Sequence, residues 1–133
     1  MTGIVPAVIA LSSVLAGATP VAITVHAGYA MQCGWPGPRI VIVFPAAERL
    51  PARIGPDTVR VNGKPAAAAR RSGSAVTLTI ARPRGAMCDS IGPATVGIVF
   101  TRAARIGNPR RSGRYRLTVR HGGEAVSGAF SIR

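Results

Sequence analysis

Apolar and polar residues alternate with period two along most of this chain, the signature of half-buried strands. The stretch "VAITVHA" (21–27) places Ile23 and Val25 on one face. "RIVIVF" (39–44) is apolar on both faces, as a central sandwich strand should be, and Pro45 ends it. "TVRVNGKPA" (58–66) sends Val59 and Val61 one way, Thr58 and Arg60 the other. "AVTLTIA" (75–81) points Val76, Leu78 and Ile80 inward, and "ATVGIVFT" (94–101) does the same with Val96, Ile98 and Phe100. In "RYRLTVR" (114–120), Tyr115, Leu117 and Val119 share a face while Arg114, Arg116, Thr118 and Arg120 take the other. "AFSIR" (129–133) closes the chain with Phe130 and Ile132 inward.

Turn chemistry separates these segments. Asn62-Gly63 is the strongest hairpin signal, because both central positions of a type I′ turn need φ > 0. "RRSG", "GNPRRSG" and "HGGE" mark further turns, while "AAERL" and "AAAARR" are at most single helical turns. Seven or eight strands follow, and with them an antiparallel β-sandwich. Gly and Pro together make 27 of the 133 residues, which suits many short strands and leaves room for one domain.

Charge adds a second constraint. The formal charge is +13, from sixteen Arg and the single Lys64 against Glu48, Asp57, Asp89 and Glu124. Such a surface attracts nucleic acid, anionic lipid or anionic wall polymer, and a coding bias toward Arg and Ala is the plainer explanation. Residues 105 to 119, "RIGNPRRSGRYRLTV", pack five arginines into fifteen positions. There Arg114, Arg116 and Arg120 (just beyond) share a strand face, and Arg110 and Arg111 sit in the turn feeding it. These five are the candidate contact for an anionic wall polymer or an acidic surface partner. Tyr115, in a Gly-x-Tyr at the start of a late strand, fits the tyrosine corner of immunoglobulin-like sandwiches, a structural role.

No Asp, Glu, Lys or Arg precedes Arg39. Residues 3 to 18, "GIVPAVIALSSVLAGA", end in an A-x-A pattern and read as a signal peptide over 1–18, leaving 19–133 as one domain beginning at Thr19. Basic residues before the apolar run are missing. Either the true start lies upstream, or the run is a buried first strand. Export suits Cys33 and Cys88, which would pair as one disulfide; two buried free thiols are the alternative. The closed loop of about fifty residues would be worth about 4 kcal/mol in the chain-entropy model. Trp35, in "CGWPGP", would pack over that bridge, or contact carbohydrate if exposed.

Catalytic patterns are missing, so no enzyme is expected. His26 and His121 are far apart, and the carboxylates have no suggestive spacing or apolar context. "GNPRRSG" lacks the Gly-Lys-Ser ending of a phosphate loop. No cofactor is expected. Met31, Cys33, Met87 and Cys88, joined by His26 and His121, could form a soft copper site, although methionines packed beside a disulfide explain the same residues. Nucleic acid would be held by charge alone, since no exposed aromatic array or recognition helix is evident.

The ordered set "IVIVFP" (40–45), "RLP" (49–51), "VRVNGKP" (59–65), "AVTLTI" (75–80), "VGIVF" (96–100), "ARIGNP" (104–109) and "GRYRLTV" (113–119) resembles an immunoglobulin-like module of bacterial exported and surface-layer-associated proteins. The resemblance implies a secreted or wall-associated β-sandwich with no catalytic residues to carry over. This chain departs from it in its cysteine pair and its arginine-rich surface, and it reads as a single unit, with no anchoring segment expected after Arg133. The expected function is therefore a structural or adhesive one at the cell surface. Non-specific nucleic-acid binding and exported copper binding are the alternatives.

Overall fold

The computed structural model describes residues 6–31, 37–81 and 92–133. Cys33, Trp35, Met87 and Cys88 lie outside these residues, as does the side chain of Met31, and with them the disulfide and most of the copper set. Ten strands are formed: β1 (Val8–Leu11), β2 (Ile23–Met31), β3 (Arg39–Val43), β4 (Val59–Val61), β5 (Lys64–Pro65), β6 (Ala68–Ser72), β7 (Ala75–Thr79), β8 (Gly92–Phe100), β9 (Gly113–His121) and β10 (Glu124–Ile132). They build two five-stranded sheets, ordered β1-β2-β8-β4-β5 and β10-β9-β3-β7-β6. Every pairing is antiparallel. This is the all-β antiparallel sandwich that the alternation predicts.

The core lies between the sheets and is aliphatic. Ile23 and Val25 of β2, Ile98 and Phe100 of β8 and Val59 of β4 come from the first sheet. Ile40 and Ile42 of β3, Val76 and Leu78 of β7, and Leu117 and Val119 of β9 come from the second. Phe44 packs edge-on against Phe100 with ring centroids 5.3 Å apart. β3 is the middle strand of its sheet, which explains why both its faces are apolar: Ile40 and Ile42 enter the core, while Val41 and Val43 are half-covered by flanking strands. At the β4–β5 hairpin, Asn62 and Gly63 take φ of 51° and 83°, the left-handed backbone a type I′ turn requires. The Asn62 side chain then accepts a hydrogen bond from Gly97 N at 2.8 Å, tying the turn to β8.

Ten strands replace the seven or eight expected, for three local reasons. "AAAARR" contributes β6 rather than a helical turn, because Gly73, at φ 60°, turns the chain so that Ala68–Ser72 pairs along β7. β5 is only two residues long and too short to show a period. The third addition is β1, which falls in the run read as a leader. There Ile9 and Leu11 pack against the core while Val8 and Ala10 face outward, an alternation hidden because every position is apolar or small.

The N-terminal segment also spans the two sheets. β1 pairs with β2 in the first sheet. Before it, Ala7 N donates to Ser127 O of β10 at 2.9 Å; after it, Ala16 N donates to Arg133 O and Arg133 N to Val14 O, both at 2.8 Å. Residues 7–16 thereby close the side of the sandwich along β10. The approach is so close that a Cβ on Gly128 would collide with the carbonyl of Ala7.

Candidate functional site

The outward face of the second sheet carries five of the sixteen arginines. On β9 the period-two alternation buries Leu117 and Val119 and leaves Arg114, Arg116 and Arg120 exposed. Register adds two arginines from distant segments. Arg120 lies opposite Val41 of β3, Val41 opposite Thr77 of β7, and Thr77 opposite Arg70 of β6. Arg39, at the start of β3, faces the same way one pleat along from Val41 and is exposed. Five arginines thus share one face, spaced by Thr77, Thr79, Thr118, Ser127 and Ser131. No outward position on these five strands carries Asp or Glu.

Arg110 and Arg111 are exposed in the segment leading into β9. The carbonyl of Arg111 accepts the hydroxyl of Tyr115 at 2.8 Å, four residues downstream, and the Tyr115 ring stacks on Phe130 at 5.9 Å. The phenol is therefore engaged with the backbone rather than offered as a stacking platform. Sequence reasoning located three of the five face arginines. It missed Arg39, although the alternation of "RIVIV" already turns it outward, and Arg70, whose segment was read as at most a single helical turn.

Arg39 and Arg120 have a further relationship. They are diagonal neighbours on adjacent strands, and together with Gly37, Pro38, Val41 and Gly122 they line an open hollow of about 430 Å³. Beside it, His121 is buried, its Nε2 3.0 Å from Gly37 O. His26 belongs to the other sheet, exposed on the outward face of β2 opposite Gly97. The two imidazoles therefore belong to different sheets. Among the described residues no three His, Cys, Asp or Glu side chains group as metal ligands.

A second polar cluster is buried, and its role is structural. Asn108 has no exposed surface; its Nδ2 donates to the carbonyls of Ser13 at 2.8 Å and Leu15 at 2.9 Å. Its backbone N donates to Ala18 O, and Gly17 N donates to Pro109 O. Arg49 reaches Gly17 O at 3.2 Å while its backbone pairs with Gly107. Glu48, alongside, is 7 % exposed, and among the described residues neither of its carboxylate oxygens accepts a hydrogen bond. Burial pushes its pKa from 4.5 up to about 7, with the nearby Arg49 charge pulling the other way.

The architecture defines a β-sandwich of two five-stranded antiparallel sheets whose outward faces differ sharply in charge. Two solved structures share the fold. One is BslA, described as a bacterial hydrophobin, with a TM-score of 0.59 at 12% identity over 96% of this chain and 94% of that one. The other is the N-terminal domain of the Streptococcus gordonii adhesin Sgo0707, with a TM-score of 0.56 at 8% identity over 96% of this chain and 32% of that one. No family model and no curated protein matches the sequence.

Proposed function

We propose that the protein is a non-enzymatic, exported or cell-surface β-sandwich module with a structural or adhesive role, which contacts anionic wall polymer through the outward face of its second sheet. The observation that carries this reading is the asymmetry between the two solvent faces. A coding bias toward arginine would load both alike. On the first sheet, the outward positions include Val8 and Ala10 of β1, Thr24, His26 and Gly28 of β2, Thr95, Gly97 and Val99 of β8, Arg60 of β4 and Pro65 of β5, with one arginine among them; Lys64, at the β5 edge, is exposed opposite the inward Val61. The outward positions of the second sheet hold five and no carboxylate, the exposed Glu124 at the start of β10 standing on the other face opposite His121. The likeness to a bacterial hydrophobin and an adhesin domain supports a surface setting. The Tyr115 hydroxyl bonded to Arg111 supports the immunoglobulin-like comparison.

Exposed guanidiniums act through charge and through planar, paired donors, so binding should fall steeply with salt. The test is co-sedimentation with purified cell walls carrying their anionic polymer, for the parent and for a variant with Arg39, Arg70, Arg114, Arg116 and Arg120 all changed to Ser. The variant is expected to keep its melting temperature, since all five side chains are exposed, and to lose sedimentation at moderate salt. Undiminished sedimentation of the variant would overturn the reading. So would duplex DNA displacing the parent from walls at an equal concentration of phosphate.

A further inference from the structure

The face as a whole explains attraction to a polyanion. The hollow at its edge is more selective, and deepening the wall-polymer reading rests on that reading. We propose that the hollow bracketed by Arg39 and Arg120 is a subsite for a single phosphodiester group of the polymer.

Geometry supports this choice over a diffuse contact. Diagonal residues on adjacent antiparallel strands have Cα atoms roughly 7–8 Å apart, within the span over which two long side chains converge on one group. Each guanidinium is planar and offers parallel N–H donors matched to a pair of oxygens. A phosphodiester presents two non-bridging oxygens, one toward each arginine, while its two ester oxygens lead the polymer out of the hollow on either side. The floor suits that path. Gly37 and Gly122 carry no side chain, and Gly37 has open space where a Cβ would stand, so backbone and Val41 form a wall the polymer can approach closely. Among the described residues, neither Arg39 nor Arg120 donates a hydrogen bond to the protein. Arg70 and Arg116 share the face but do not line the hollow. They provide a control of equal charge.

Aromatic stacking, the usual means of holding a nucleic acid strand, is absent from this face among the described residues. Phe44, Phe100 and Phe130 are buried and Tyr115 turns inward onto Phe130. The phosphodiester is therefore assigned to a polyol- or sugar-phosphate chain.

The experiment compares two charge-matched double variants, Arg39→Ser with Arg120→Ser, and Arg70→Ser with Arg116→Ser. Binding is measured by calorimetry to poly(glycerol phosphate) and to poly-glutamate of similar length, at fixed salt. The hollow pair is expected to weaken poly(glycerol phosphate) binding at least tenfold, the control pair about threefold, and both pairs about threefold for poly-glutamate. Inorganic phosphate titrated into the parent should shift the amide signals of Gly37 and Gly122 and leave those of β10 in place. Equal losses for the two pairs on poly(glycerol phosphate) would overturn the subsite while leaving the charged face standing. A parent that binds neither polymer would overturn the proposed function itself. Tighter binding of single-stranded DNA than of poly(glycerol phosphate), with a base preference, would overturn the assigned polymer.

Discussion

Glu48→Gln is expected to stabilise this protein at pH 8 and to leave its stability unchanged at pH 4.5. Glu48 is buried, and among the described residues its carboxylate receives no hydrogen bond. Its pKa rises from 4.5 to about 7, chiefly because burial disfavours the charged form, with Arg49 opposing. Between those two values the folded chain holds a proton that the unfolded chain releases. Stability therefore falls as pH rises through this window, and the full penalty is present above about pH 7. A shift of this size corresponds to about 3 kcal/mol. Gln has nearly the same shape and carries no charge at any pH, so the substitution removes the penalty where it exists and changes little where Glu48 is already protonated. The opposing pull of Arg49 is already contained in that shift, so the expected gain above pH 7 is about 3 kcal/mol. Urea unfolding of both proteins at pH 4.5, 6, 7 and 8 reads the difference directly. A difference that is flat with pH would refute the reasoning. A variant less stable than the parent at pH 8 would show that Glu48 is held as an anion by Arg49.

Two further substitutions probe how the N-terminal segment is held. Asn108→Ala removes the donors to the Ser13 and Leu15 carbonyls in a fully buried setting, so it should cost about 2–3 kcal/mol and lower the melting temperature by roughly 10 °C. A loss under about 1 kcal/mol would mean that these carbonyls find other partners. Gly128→Ala should lower the melting temperature clearly, because the new Cβ meets the Ala7 carbonyl, and an unchanged melting temperature would refute the contact.

The strands were legible because their core-facing residues are large and their outward residues polar, as in "AVTLTI" and "RYRLTV". Where one of those conditions fails, the pattern goes silent. β6 reads Ala-Ala-Arg-Arg-Ser, with nothing large to face the core, and only its pairing with β7 defines it. β1 reads Val-Ile-Ala-Leu, apolar throughout, so a strand and an export leader carry the same signal. Asn108 was hidden for a different reason. Asn between Gly and Pro is turn chemistry on its face, and only the tertiary fold reveals two carbonyls from residues 13 and 15 converging on its amide. The arginine face was half legible. Nearness in sequence suggested 110 to 120, whereas register across β9, β3, β7 and β6 selects Arg39 and Arg70 from far upstream.

The arginines themselves divide by occupation. Arg71, on the β6 edge, donates to the carbonyls of Gly73, Leu50 and Pro51, and Arg49 donates to Gly17 O, so the fold accounts for both. Such contacts also cover a sheet edge that would otherwise offer itself to another strand. The five on the outward face make no hydrogen bond to the protein among the described residues. All five are exposed, and like charges at the surface interact only weakly through water and salt. Their replacement is therefore expected to leave stability unchanged. A like-charged row free of hydrogen bonds to the fold suits the proposed contact with a polyanion, and these five lie on one of the two outward faces.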